Sequence, residues 1–122
     1  MRRAYLLVDH GSRREEANAQ TEQVAGALQR RVGDLVRIAH LEIAPPDLAA
    51  GIDACARAGA DEVIVLPYFL GPGRHTTRDI PDQVRAARER HPALAIRIAE
   101  PLGLHEKLVE VLMERAERAL GD

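Results

Sequence analysis

Cysteine, aromatic residues and lysine are the scarce residues of this chain. Cys55 stands alone among 122 residues. A disulfide framework within the chain is therefore excluded, a cysteine-based zinc site is disfavoured, and a reducing, cytoplasmic setting fits. The aromatics are Tyr5, Tyr68 and Phe69, with no Trp, so a base-stacking platform has little to stand on. The formal net charge is -2, whereas a general nucleic-acid binder is usually strongly basic. Long apolar runs are also missing. The run Ala4–Val8 stops at Asp9, short of the roughly 7 to 15 apolar residues of a signal peptide and the ~20 of a membrane span. No repeat, low-complexity tract or linker breaks the chain.

What is present suits a folded domain. Apolar residues make up 46% and charged residues 30%, and residues 1–122 are expected to form one α/β domain. A domain of this size buries about two-thirds of its unfolded surface, so it needs no disulfide or structural metal. The basic residues are sixteen Arg and one Lys, Lys107. Planar guanidinium forks suit carboxylate partners.

Two periodicities alternate along the chain. Short apolar stretches at Ala4–Val8, Leu35–Ile43, Glu62–Phe69 and Leu94–Ala99 read as strands. Apolar residues at helical spacing follow each one. Ala17, Val24, Ala25, Leu28 and Val32 mark the first helix, which Gly33 can end. Ser12 and Glu15 have the spacing of a capping box at its start. Leu48, Ile52 and Cys55 mark a second helix, with Pro46 in its first turn. Asp79-Ile80-Pro81 opens a third, ending near His91-Pro92. Leu104, Leu108, Val111 and Leu112 mark a fourth. Strands separated by helices run parallel, and right-handed crossovers then give a small doubly wound sheet of four strands in the order 2-1-3-4, with helices on both faces. Ligands of such sheets sit beyond the carboxyl ends of the strands, where strand order reverses.

The polar residues that collect at that rim are informative. Strand 1 leads to His10, strand 2 to Glu42, and strand 3 to the loop Leu70-Gly71-Pro72-Gly73-Arg74-His75. Two imidazoles and a carboxylate suit a borderline divalent ion such as Co²⁺, Fe²⁺, Ni²⁺ or Zn²⁺, and a neutral imidazole is also a proton acceptor. Gly71 and Gly73 would allow positive φ and a close approach of a large ligand to the backbone. That loop lacks the GK[ST] ending of a phosphate-binding Walker loop. Arg13 and Arg74 offer carboxylate-binding forks at the rim, beside Arg14 and Arg78, which read as solvated surface. The other histidines read differently: His40 as core, His91 as a partner of a helix dipole, and His105 as either a cap, a packed residue or a substrate contact. Glu100 reads as peripheral and Cys55 as core.

The segments LLVDHGSRREEAN (6–18), LEIAPPDLAAGI (41–52), VIVLPYFLGPGRHTTRDIPDQV (63–84) and AEPLGLHEKLVEVL (99–112) together resemble the small sirohydrochlorin chelatases of the class II chelatase superfamily. The most specific part is the order proline-aromatic-leucine, Gly-Arg-His, Asp-Ile-Pro over 67–81, joined to His-Gly-Ser-Arg after strand 1. The resemblance implies insertion of a divalent metal (Co²⁺, Fe²⁺ or Ni²⁺) into sirohydrochlorin, an octa-carboxylate tetrapyrrole of cobalamin and siroheme biosynthesis. The metal is then a substrate, and no organic cofactor is needed. Carried over, His10 and His75 would bind the metal and accept pyrrole protons, with Glu42 as the third metal-site group. Arg13, Leu70, Gly71, Pro72, Gly73, Arg74 and His75 would contact the macrocycle. Larger members hold two such halves around a cleft, which implies a homodimer here. Where the family often has Glu-Pro-Ser, this chain has Ala44-Pro45-Pro46-Asp47, so contacts from that segment are expected to differ.

Two other functions compete on the residues alone. A non-enzymatic metal carrier could use the same cluster. A histidine phosphatase also places His-Gly after its first strand, but with Arg before the histidine; here Asp9 would repel a phosphoryl group.

Overall fold

A computed structural model describes residues 2–121, with His75 described by its backbone alone. The elements run β1 (Arg3–Asp9), α1 (Glu15–Val32), β2 (Leu35–His40), α2 (Leu48–Arg57), β3 (Glu62–Pro67), a π-helical turn (His75–Asp79), α3 (Ile80–Arg90), β4 (Ala95–Ile98) and α4 (Glu106–Gly121). The strands form one parallel sheet in the order β2-β1-β3-β4, as the alternating periodicity predicts. β1 is central, and Ala4, Leu6, Leu7 and Val8 are all buried, as a strand covered on both faces requires.

The two faces are covered unequally. On one, Leu48, Ile52 and Cys55 of α2 and Ile80, Val84 and Ala87 of α3 bury against Leu6, Val63, Val65 and Ile96. Burial pushes the Cys55 thiol up from its ordinary value, which keeps it protonated and inert. A Cβ on Gly51 would meet Leu6 Cδ1 at 2.9 Å and Ala39 Cβ at 3.1 Å, so glycine lets α2 sit down on the sheet. On the other face, α1 lays Ala25 against Leu7 and Val36, while Ile64 on β3 stays half-buried.

Several local expectations change. Ser12 does not cap α1. Its hydroxyl accepts from Arg14 N, Asn18 Oδ1 accepts from Ser12 N, and the helix starts at Glu15. α2 is capped by Asp47, whose side chain accepts from Ala50 N at 2.8 Å. β2 stops at His40 rather than Ile43. α3 is preceded by an extra turn built on Gly73, whose carbonyl accepts from the amides of Thr76 and Thr77. His91 pairs with Asp53 of α2 at 2.6 Å instead of simply facing its own helix end, and this bond, more than the neighbouring Arg90, holds the Asp53 carboxyl below its usual range. His105 is resolved as a cap, with Nδ1 accepting from Lys107 N at 3.0 Å. The largest departure is α4: none of its residues is buried, and Leu112 is 69% and Leu104 just before it 99% exposed. No helix among the described residues is long and apolar enough to cross a membrane.

At the amino-terminal end of the sheet, far from the rim, Glu62 is buried between Arg3 Nε at 2.6 Å and Arg97 Nε at 2.8 Å. The Arg3 bond first, and Arg97 second, hold its carboxyl below the usual carboxylate range. A group held lower in the folded state stabilises the fold above the unfolded carboxylate range, and that contribution fades as pH falls through it. The urea midpoint is therefore expected to drop from pH 7 to pH 4, and Glu62→Gln to shrink that drop. An identical drop in both proteins would show that this carboxylate is not responsible.

Candidate metal-insertion site at the strand ends

The topological reversal lies between β1 and β3, so the crevice forms beyond Asp9 and Pro67. On the other side of β1, its parallel pairing with β2 continues past the formal strand ends. Leu41 N donates to Asp9 O at 3.0 Å and Glu42 N to His10 O at 3.1 Å. This step sets His10 and Glu42 side by side. Their side chains meet at 3.3 Å, Nε2 to Oε1, and each is about half exposed, at 50% and 53%. Gly11 turns the chain directly beneath Glu42 with φ +95°, and a Cβ there would lie 1.9 Å from Glu42 O. Ile43 turns the chain away just after the carboxylate with φ +76°, a conformation β-branched residues seldom adopt. Such outliers cluster at functional sites. A cleft of about 580 Å³ adjoins Glu42, running along 41–47 to Ala50, and includes the Pro45-Pro46 cis bond.

Beneath the rim, Asp9 and His40 are paired at 2.5 Å, and Thr21 of α1 donates to the other Asp9 oxygen. His40 is buried, as its position in β2 predicts. Its tie to Asp9 was not legible in the sequence; only the register, which sets Asp9 opposite His40, reveals it.

The loop after β3 is placed by Tyr68 N, which donates to Val8 O at 2.7 Å. It carries Leu70, Gly71, Pro72, Gly73 and Arg74 at the rim, all exposed. Its glycines act differently from expectation: neither Gly71 nor Gly73 has positive φ, and a Cβ on either meets nothing within 4 Å. Thr76 and Thr77 shape the loop instead. Thr76 Oγ1 accepts from Gly73 N at 2.9 Å, and Thr77 Oγ1 donates to Gly73 O at 2.8 Å. Arg13 and Arg74 are both exposed. The His75 side chain, the predicted second imidazole, lies outside the described residues. Among the described residues, no three His, Cys, Asp or Glu side chains converge on one ion position; His10 and Glu42 form a pair.

With this geometry in view, the likeness to known proteins is specific. The CbiX family model matches residues 4–119. A sirohydrochlorin cobaltochelatase from Sulfurisphaera tokodaii is 37% identical, over 94% of this chain and 92% of its own length. The chloroplastic sirohydrochlorin ferrochelatase of Arabidopsis thaliana is 36% identical, over 94% of this chain and 52% of its own. The crystal structure of the sirohydrochlorin chelatase SirB from Bacillus subtilis subspecies spizizenii in complex with cobalt superposes with TM-score 0.91 and 30% identity, over 97% of this chain and 51% of that one. The chain thus spans about half the length of several curated relatives it matches and nearly all of others. The match to the CbiX model takes in β1 from Ala4 onward, the other three strands and the whole rim, and this chain belongs to the CbiX family.

Proposed function

We propose that the chain catalyses insertion of a divalent metal, Co²⁺ or alternatively Fe²⁺ or Ni²⁺, into sirohydrochlorin. The observation that carries this reading is the His10–Glu42 pair at 3.3 Å, at the carboxyl ends of β1 and β2 beside the switch point between β1 and β3. Family membership and relatives named as sirohydrochlorin chelatases support the substrate.

The reaction replaces two pyrrole N–H protons by one M²⁺ and releases 2 H⁺. The residues must therefore hold an ion, loosen its water and take protons. In the proposed mechanism His10 and His75 hold the ion through neutral imidazole nitrogens, and as the ion passes to the ring nitrogens the imidazole that lets it go accepts the first pyrrole proton on the freed nitrogen. Glu42 balances the ion's charge and relays a proton outward, a role open to a carboxylate half exposed to water. Arg13 and Arg74 bind peripheral carboxylates through charge-assisted bonds, and 70–73 lies against the ring edge. The assignment of His75 rests on its Gly-Arg-His motif. An absorbance time course with sirohydrochlorin and each of the three ions tests the reading: the protein should raise the rate of metallation. Co²⁺ binding with an unchanged pigment rate would instead make it a metal carrier.

The working unit in this proposal is a homodimer, each copy a single domain over residues 1–122. One observation supports it: α4 presents Val109, Leu112 and Met113 uncovered. An apolar surface of this kind on a small protein calls for a partner. Light scattering at micromolar concentration should give twice the 13.4 kDa chain mass; a mass of one chain would count against the dimer.

A further inference from the structure

We propose that His40 is a positioning residue: with Asp9 and Thr21 it locks the two strand ends that present His10 and Glu42 to the metal ion. The inference rests on the metal-insertion reading and deepens it.

His40 is 2% exposed, and its Nδ1 lies 2.5 Å from Asp9 Oδ1. The second Asp9 oxygen accepts from Thr21 Oγ1 at 2.5 Å. One carboxylate thus ties β1, β2 and α1 together one residue before His10 and two before Glu42. His40 also holds the segment beyond Glu42, its amide donating to Pro46 O at 2.8 Å. Its Cβ is 3.2 Å from where a Gly11 Cβ would stand. Its side chain thus reaches the 9–11 turn through Asp9, while its backbone amide holds the 42–46 segment.

The chemistry argues that this is more than core filling. Burying an imidazole and a carboxylate is costly unless every polar atom finds a partner, and apolar residues of similar volume usually stabilise as well or better. The neighbours on the same face, Leu7 and Val36, are apolar. A polar clamp at this one position provides direction, which an apolar pair does not. Groups hydrogen-bonded directly to metal ligands are commonly worth 10- to 100-fold in metal affinity; His40 acts one step further back, through the backbone on either side of Asp9 and Glu42, so the lower end applies. With both oxygens engaged, Asp9 is also held below the rim, which leaves Glu42 as the carboxylate paired with His10.

Two substitutions separate this role from packing. His40→Leu keeps apolar volume and deletes the Nδ1 donor. His40→Asn is smaller but puts an N–H donor where Nδ1 stands. Co²⁺ binding to the protein alone is read by calorimetry, and metal insertion by absorbance at varied Co²⁺ and varied pigment. Positioning predicts that His40→Leu weakens Co²⁺ binding and raises the KM for Co²⁺ by about tenfold, leaves the KM for the pigment unchanged, and that His40→Asn recovers most of the loss. Thr21→Val should share part of the effect and Thr21→Ser little, a second route if His40→Leu does not fold. Wild-type Co²⁺ affinity in His40→Leu or, should that variant not fold, in Thr21→Val overturns the proposal, as does Leu outperforming Asn. A wild-type protein that metallates the pigment while either result holds overturns the positioning role alone. A wild-type protein that neither binds Co²⁺ nor metallates the pigment overturns both readings.

Discussion

His10→Ala is expected to lower the rate of metal insertion by about 10² to 10⁴-fold, the range for losing a positioned proton acceptor, and to leave the fold intact. The His10 side chain is half exposed and sits past the end of β1. Surface substitutions of this kind change stability by about 0.5 kcal/mol or less. The urea midpoint should therefore hardly move while the initial rate with Co²⁺ and sirohydrochlorin collapses. His75→Ala should do the same. Glu42→Gln should slow the reaction less completely, because the amide oxygen still accepts a hydrogen bond while the charge that offsets the ion is gone. Equal rates in wild type and a His10→Ala/His75→Ala double variant would defeat the assignment.

Gly11→Ala is expected to destabilise the protein by about 3 kcal/mol, at the upper end of overpacking effects, and to lower Tm by about 10 °C. Two causes act together. The added Cβ would lie 1.9 Å from Glu42 O and 3.1 Å from Glu42 C, both backbone atoms that cannot swing away. Residue 11 also has φ +95°, where L side chains are strained. Relief requires the 42–44 segment to move, and that breaks the Glu42 N to His10 O bond that seats the site. Activity should fall with stability. Gly73→Ala is the matched control. Its Cβ meets nothing within 4 Å and its φ is not positive, so calorimetry should show little change. A Gly11→Ala protein as stable as wild type would mean that the turn beneath Glu42 is built differently.

The order of elements was legible because each strand is a short apolar run and each helix an apolar stripe, and the 2-1-3-4 sheet follows from right-handed crossovers once helices must cover both faces of buried strands. The rim residues were legible for the same reason: a topology dictates which chain positions lie at carboxyl ends. Helix starts were less so. Ser12, Glu15 and Asp47 are all capping residue types, and only tertiary placement decided that Asp47 caps while Ser12 folds its own turn. The Asp9–His40 bond lies 31 residues apart in sequence, so no local pattern could reveal it. α4 misled in the opposite way. Its apolar stripe predicts a buried face, yet Leu108 is only half-buried and Val111 and Leu112 are exposed, consistent with a surface supplied by a second copy.

The most direct test is a crystal structure of the protein soaked with Co²⁺, using anomalous scattering to locate the ion. The expected result is one ion with the imidazole nitrogens of His10 and His75 both at about 2.0–2.1 Å, the range of zinc–nitrogen bonds, and the Glu42 carboxylate beside them. An ion bound away from His10, or the His75 ring turned to the far side of the molecule with no partner imidazole in its place, would contradict it.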